Sequence, residues 1–443
     1  MTCRSVIETG IGVLLMLLAA APVRAQGLLS QTTWGGPGSD VASGVAMAPD
    51  GSTCVVGITD SFAIDEFGTP SPRIFVVKFA ADGTLSWQRI WNGTTVRGLG
   101  RAGIAIGPGG SIYVSGVSTD NGNDAALLKF DANGTLLWER TWGGAASDES
   151  FGVAAAADGS VYIAGTATSF GPSSAGLFVV KFDAAGTIVW QRIADGAAAN
   201  GIAVAADGSV YAAGTAPRPG AQIGNFDLVV LKIAPDGSLV WRRAYSAGDV
   251  ADPRGGVAAA RDGSVVVAGA IQSIKAGSAD IVALIVKLDA AGALVFDKQF
   301  DGRVNETAEG VAVDQSDATI YVSGTTTSFG AGSQDAFVLH LQATGKKLLS
   351  AVTWGGSAFE EGAGVAVGAT SVALAATTTA GPPYVLQSAA ARLSSPKSVL
   401  AVSTEPLAGV AGVLADPADG AATPAGSTVF SGNFETALIR IVK

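Results

Sequence analysis

Along most of the chain, short runs of alternating apolar and polar residues are interrupted at regular intervals by glycine-centred turns. The stretch from Asp158 to Trp190 displays the unit, with SVYIAG, LFVVKF and TIVW separated by tight or Gly- and Ser-rich connections. Alternation over runs this short, bounded by turn residues, predicts half-buried antiparallel strands rather than helices. The second strand of the unit restarts at Ser52, Ser111, Ser160, Ser209, Ser264, Thr319, Ser371 and Ser427, at spacings of 49–59 residues. The third returns as IFVVKF (74–79), ALLKF (126–130), LVVLKI (228–233), ALIVKL (283–288), FVLHL (337–341), VLQSAAARL (385–393) and ALIRIV (437–442). The fourth returns as TLSWQRIW (84–91), TLLWERTW (135–142), SLVWRRAY (238–245), ALVFDKQF (293–300) and KLLSAVTW (347–354), with SVLAVS (398–403) a degraded copy. Turns such as Ala81-Asp82-Gly83 and Ala132-Asn133-Gly134 place Gly where positive φ is needed and Asx where a side chain braces the turn.

A period near 50 residues implies one stacked or closed array rather than separate domains. The chain enters it out of phase, because Gly27–Trp34 reads as a fourth strand like Gly134–Trp142. A radial array resolves this when the first strand of the chain completes the sheet of the last, which removes an edge that would recruit other chains. The expectation is an all-β fold, a β-propeller of four-stranded antiparallel blades in a single domain, 26–443. Eight second and eight third strands predict eight blades, with seven the alternative because the last two units are degenerate. Closure is expected from Gly27–Trp34 beside Glu435–Lys443. Gly-Gly follows the terminal Trp at Trp34, Trp142 and Trp354, letting the backbone turn inward, and the aromatic stripe Trp87, Trp138, Trp190, Trp241 and Phe296 is expected in the core.

The combination of DGSVYIAG, LFVVKFD, GTLLW and TWGG followed by an acidic residue and GVA resembles the bacterial seven-bladed beta-propeller repeat (SBBP) family, well over 27–354 and faintly over 355–443. The resemblance implies an extracytoplasmic propeller and assigns no activity.

The N-terminus fits that implication. Arg4 supplies a positive region, Ile11–Ala21 an apolar core, and Val23-Arg24-Ala25 a small-residue cleavage site. Residues 1–25 are therefore expected to be a signal peptide, and the apolar run is too short to remain as a membrane span. Cleavage removes Cys3 and leaves Cys54 in a strand slot where sibling units carry Tyr or Val, the place of a small buried side chain. The formal charge of -10 argues against nucleic acid and anionic lipid as partners.

Candidate chemistry is sparse. Acidic residues follow several blade ends, and Asp40, Asp148, Glu149, Glu306 and Glu360 are the candidate metal ligands, with Ca²⁺ as the cation such carboxylates hold. The competing reading is that they brace turns, since no D-x-D-x-D-G loop is present. No other cofactor is expected. His340, the one histidine, occupies the slot where siblings carry Lys and has no neighbours with which to build a zinc or Ser-His-Asp site. Connections from first to second and third to fourth strands are tight and uniform, whereas Thr59–Arg73, Thr166–Gly176, Thr215–Phe226, Ala270–Asp280 and Thr325–Asp335 vary. Loop variation on a rigid scaffold marks a binding face. The favoured reading is a non-enzymatic secreted or surface scaffold for a protein or polysaccharide. A carbohydrate-cleaving hydrolase or lyase and a structural envelope protein are the alternatives.

Overall fold

The computed structural model describes residues 28–62, 72–91, 102–118, 122–170, 175–220, 225–246, 250–252, 256–275, 278–302, 304–379, 385–388, 393–394, 399–403 and 435–443. The expected signal peptide lies outside them. Among the described residues there are seven antiparallel sheets, and six of them are built on strands in sequential order from the inner to the outer position. Blade one runs from Asp40–Met47 through Thr53–Thr59 and Arg73–Phe79 to Leu85–Ile90, and blades two to six repeat this plan as far as Leu348–Gly355. The fifth inner strand is split into Val250–Asp252 and Val257–Ala259, both pairing with Val265–Lys275.

Blade seven is assembled differently, in the order Glu360–Val367, Ser371–Thr378, Glu435–Val442 and Leu28–Trp34. The N-terminal strand pairs antiparallel with the C-terminal one, from Leu28↔Ile441 to Trp34↔Thr436. This corrects the expected count of eight to seven. Glu435–Val442 carries the full third-strand pattern and pairs with all of Ser371–Thr378, so it enters the seventh sheet directly. The segments counted as a degraded seventh unit become extra outer strands instead. Val385–Ser388 pairs with the outer strand of blade six, Leu393–Ser394 with that of blade five and Val399–Ser403 with that of blade four. The expected second strand at Ser427 lies outside the described residues. A second difference concerns 270–280, expected as a loop. There Val265–Lys275 and Ser278–Leu288 remain paired to Lys275↔Ser278, so blade five projects a ribbon beyond its sheet.

Sheets pack face to face through second and third strands that are buried on both sides, including Val161–Ala164, Leu177–Val180 and Val265–Ala268. Apolar clusters span blade junctions, for example Tyr162 and Val179 of blade three with Val210 and Val229 of blade four. Around the axis, one glycine per inner strand permits close approach. A Cβ at Gly201 would stand 3.1 Å from the Gly256 Cα, and one at Gly310 only 2.9 Å from the Gly364 Cα. Gly364 in turn meets Gly44 and Val45 of blade one. At Gly103, Gly152, Gly201 and Gly310 the glycine is thus a packing requirement at the waist of the central channel, whereas a Cβ at Gly256 would meet nothing within 4 Å.

Candidate functional site

The two faces of the ring are built for different tasks. On the tight-turn face, each third-strand Lys reaches into the next blade and donates to a carbonyl of its third-to-fourth turn. Lys78 bonds Ala132 O at 3.1 Å, Lys129 bonds Ala184 O at 2.9 Å and Lys287 bonds Ala343 O at 3.0 Å. The Trp beside that Lys donates to the same carbonyl in blades one, three and four (Trp87 to Ala132, Trp190 to Pro235, Trp241 to Ala290). Two residues later an Arg donates Nε to the turn glycine carbonyl, as Arg89 does to Gly134 and Arg192 to Gly237. The recurring Lys, left without a role by the sequence, is therefore a staple between blades.

A second set of contacts joins outer strands. Trp34 donates to Gln88, Trp91 to Glu139, Trp142 to Gln191, Trp354 to Gln31, and the Tyr245 hydroxyl to Asp297. Where the terminal residue lacks a donor, as at Ala194 and Phe300, the facing positions are Arg242 and Ala351 rather than an acceptor such as Gln or Glu. The internal pairing of donor with acceptor explains why these aromatics differ between units.

On the opposite face, the four acidic residues that open inner strands are fully buried. Asp40 accepts from Gly36 N at 2.8 Å and the Ser61 hydroxyl at 2.6 Å. Asp148 accepts from Gly144 N at 2.8 Å and from Thr168 N and Ser169 N. Glu306 accepts from Gly302 N and the Thr326 hydroxyl, and Glu360 from Gly356 N and the Thr378 hydroxyl. Each carboxylate thus folds the connection four residues upstream and ties it to the end of the second strand or to the loop just beyond it. Glu149 is half-exposed and accepts from the Ser147 hydroxyl. The candidates fall in blades one, three, six and seven, so only Asp148 and Glu149 share a strand. Among the described residues, no group of three or more His, Cys, Asp or Glu is placed to hold a metal ion.

The structure instead pairs acids that the sequence reading did not combine. Asp124 and Asp148 flank Gly143, and Asp335 and Glu360 flank Gly355, where a Cβ would collide with both carboxylates. Burial pushes the Asp335 and Glu360 carboxyls above the ordinary range, and Asp335 raises Glu360 further. The signal was an acid directly ahead of the third strand, as in DAALLKF and DAFVLHL. Variable loops also share a clip. Phe62, Phe170 and Phe329 lie against Trp34, Trp142 and Phe300 at 5.2, 5.0 and 5.8 Å between ring centroids. Beyond these clips the loops diverge, with an Arg218–Asp227 ion pair at 2.7 Å in blade four and the projecting ribbon in blade five.

A cavity of about 160 Å³ sits on the axis, its walls including Ser43, Phe151, Asn200 and Glu309 beside the glycine waist. His340 is remote from it, stacked on Tyr321 with centroids 4.2 Å apart, and burial lowers its basicity. The Lys is absent there for a structural reason. Third and fourth strands of blade seven come from opposite ends of the chain, so no hairpin turn offers a carbonyl to blade six. Cys54 is buried, which pushes its thiol up to about 12 and leaves it unreactive.

No family model matches the chain, and no curated protein matches it. Among solved structures it is similar to the Dos1 propeller, at 10% identity and a TM-score of 0.44, covering 80% of this chain and 93% of that one. The β-propeller domain of the Trilobed protease from Pyrococcus furiosus, which has an open velcro topology, matches at 10% identity and a TM-score of 0.46, covering 81% of this chain and 95% of that one. A puromycin hydrolase matches at 16% identity and a TM-score of 0.44, covering 81% of this chain but 53% of the hydrolase. These likenesses concern the fold alone.

Proposed function

We propose that the protein is a secreted or surface-associated propeller of the SBBP type that binds a protein or polysaccharide through its variable-loop face, without catalysis of its own. One observation carries this reading. From blade one to blade five the tight-turn face is taken up by Lys staples to the next blade, with Trp and Arg added in several, whereas the loops opposite share a braced base and diverge above it. A rigid base under divergent tips is the arrangement of a recognition surface. Pairing of Leu28–Trp34 with Glu435–Val442 serves in this reading as the lock of the ring. Secretion follows from the signal-like residues 1–25. The test is a thermal-shift screen of 26–443 against cell-surface oligosaccharides and peptides, with Ca²⁺ and EDTA arms. Native-state binding raises the melting temperature by mass action. A saturable rise supports the reading, and turnover of a panel member would replace it with the hydrolase alternative.

A role in assembly is favoured by a different observation. Outer strands expose Leu28, Leu29, Leu85, Leu136, Leu137, Ile188, Val189, Val240 and Val295, a belt of one or two aliphatic side chains per blade across blade seven and blades one to five. Contiguous exposed apolar surface marks interaction sites. Light scattering of Leu137→Ser and Val189→Ser variants against the parent tests it, since an assembly built on the belt dissociates and a monomer does not change.

A further inference from the structure

On the tight-turn face, the junction between blades seven and one departs from the rest. In blades two, three and four a third-strand Lys lies between a second-strand Tyr and a fourth-strand Trp, as in Tyr162, Lys181 and Trp190. The register of blade seven puts Ala373, Arg440 and Ser30 at those three positions. From blades one to four the indole covers the turn glycine of the next blade, and from blade five Phe296 does so. A Cβ at Gly134 would stand 2.9 Å from Trp87, and one at Gly237 would stand 2.9 Å from Trp190. At Gly83 the nearest atom is the Ser30 hydroxyl oxygen, at 3.1 Å. What replaces the two missing rings is a cavity of about 360 Å³ bounded by Ser30, Met47, Asp50, Ala81, Asp82 and Arg440.

Arg440 is only 5% exposed. Its guanidinium donates to the Ala81 carbonyl and to the Ser371 hydroxyl, and Nε has no partner among the described residues. We propose that this seam is a binding site for an indole-type aromatic ring, neutral or cationic, which enters the slot that tryptophan fills in the sibling blades.

Three features select that ligand. The Ala81 carbonyl corresponds to those of Ala132 and Ala290, each of which accepts from both a Lys and an indole N–H. At Ala81 the cation is in place, and a carbonyl oxygen has a second lone pair for the ring N–H. Arg440 supplies the charge that a ring face attracts, as Lys129, Lys181 and Lys232 do at 5.3 Å from their tyrosines. Asp50 and Asp82 border the cavity as carboxylates, held low mainly by hydrogen bonds from Ser52 and Thr84, and they disfavour an anionic ligand.

The test uses the full chain and 5-fluoro-N-acetyltryptophanamide observed by fluorine NMR. Saturable binding in the millimolar range or tighter is expected, with N-acetylleucinamide unable to compete and indole-3-acetate competing worse than tryptamine. The Ser30→Trp variant restores the sibling residue, so it should melt above the parent and bind the probe at least about tenfold more weakly. If that variant fails to fold, crystals soaked in 5-bromoindole decide, with bromine expected between Gly83 and Arg440. A Gly-Gly-Trp-Gly-Gly peptide binding more tightly than the amide assigns the ring to a polypeptide partner, and equal affinity assigns it to a small molecule. Absence of saturable binding, binding unchanged by Ser30→Trp, or bromine elsewhere overturns the proposal.

Discussion

Replacing Trp34 with Ala tests whether the N-terminal strand belongs to the cooperative fold of the ring. Trp34 is 8% exposed, packs on Phe75 with centroids 4.5 Å apart, and donates to Gln88 at 2.7 Å across the junction with blade one. Burying a tryptophan removes on the order of 200 Å² from water, or roughly 5 kcal/mol at about 25 cal/mol per Å². Large-to-small substitutions of buried aromatics cost about 3–5 kcal/mol, so the two estimates agree. Trp34→Phe separates the hydrogen bond from the packing. Gln88 is exposed and its carbonyl returns to water, so losing the indole N–H costs about 1 kcal/mol. Trp142→Phe should cost more, because its acceptor Gln191 is buried and is left without the donor at 2.7 Å. Urea unfolding at constant slope measures all three. A Trp34→Ala protein within about 1 kcal/mol of the parent would refute the reasoning, since it places the strand outside the cooperative unit.

Other consequences are equally concrete. Gly165→Ala drives a methyl into the Glu149 carbonyl, so soluble yield should collapse, whereas Gly220→Ala, with nothing within 4 Å, meets only the strain of positive φ and should cost about 1 kcal/mol by thermal melt. His340 has a folded value depressed below 6.5, so the stability linked to it is present above the unfolded value and lost as pH falls through the folded one. His340→Gln should flatten that part of a melting-temperature profile. Asp335 and Glu360 act in the opposite sense, since raised carboxyl values favour the fold below their unfolded values and that stability is lost as pH rises through the folded ones. Asp335→Asn should therefore raise the melting temperature at neutral pH relative to acid. Ca²⁺ is expected to leave the melting temperature unchanged, because Asp40, Asp148, Glu306 and Glu360 already accept from backbone donors.

The strand pattern was legible because alternation and Asx-Gly turns are local signals, and the repeat multiplied each of them. Blade number was not, since it depends on which of two apolar segments, 385–393 or 437–442, pairs with Ser371–Thr378. That choice is made by pairing length and long-range register, which counting strands does not weigh. The acids at inner-strand starts were visible as a recurrent feature, but their burial and their backbone donors appear only when the connection folds back over four residues. The Lys of blades one to five and the Trp of blades one to four were visible yet uninterpretable, because the Lys acceptors are carbonyls of the neighbouring blade and leave no residue signature. The seam cavity shows the converse. Ser30, Ala373 and Arg440 look unremarkable in sequence, and only the register aligns them with Trp190, Tyr162 and Lys181.

The division of labour between the two faces is tested most directly by shortening one variable-loop element and repeating the ligand screen. Replacing Gln272–Ile281 with Asn-Gly removes the projecting ribbon while keeping Ile271 opposite Val282 across a two-residue turn. The melting temperature of the free protein should be nearly unchanged, because the staples lie on the other face. A ligand that stabilises the parent should lose its effect on the shortened protein. A ligand-induced shift that survives the replacement, or a panel in which no ligand shifts the parent at all, would contradict recognition through this face.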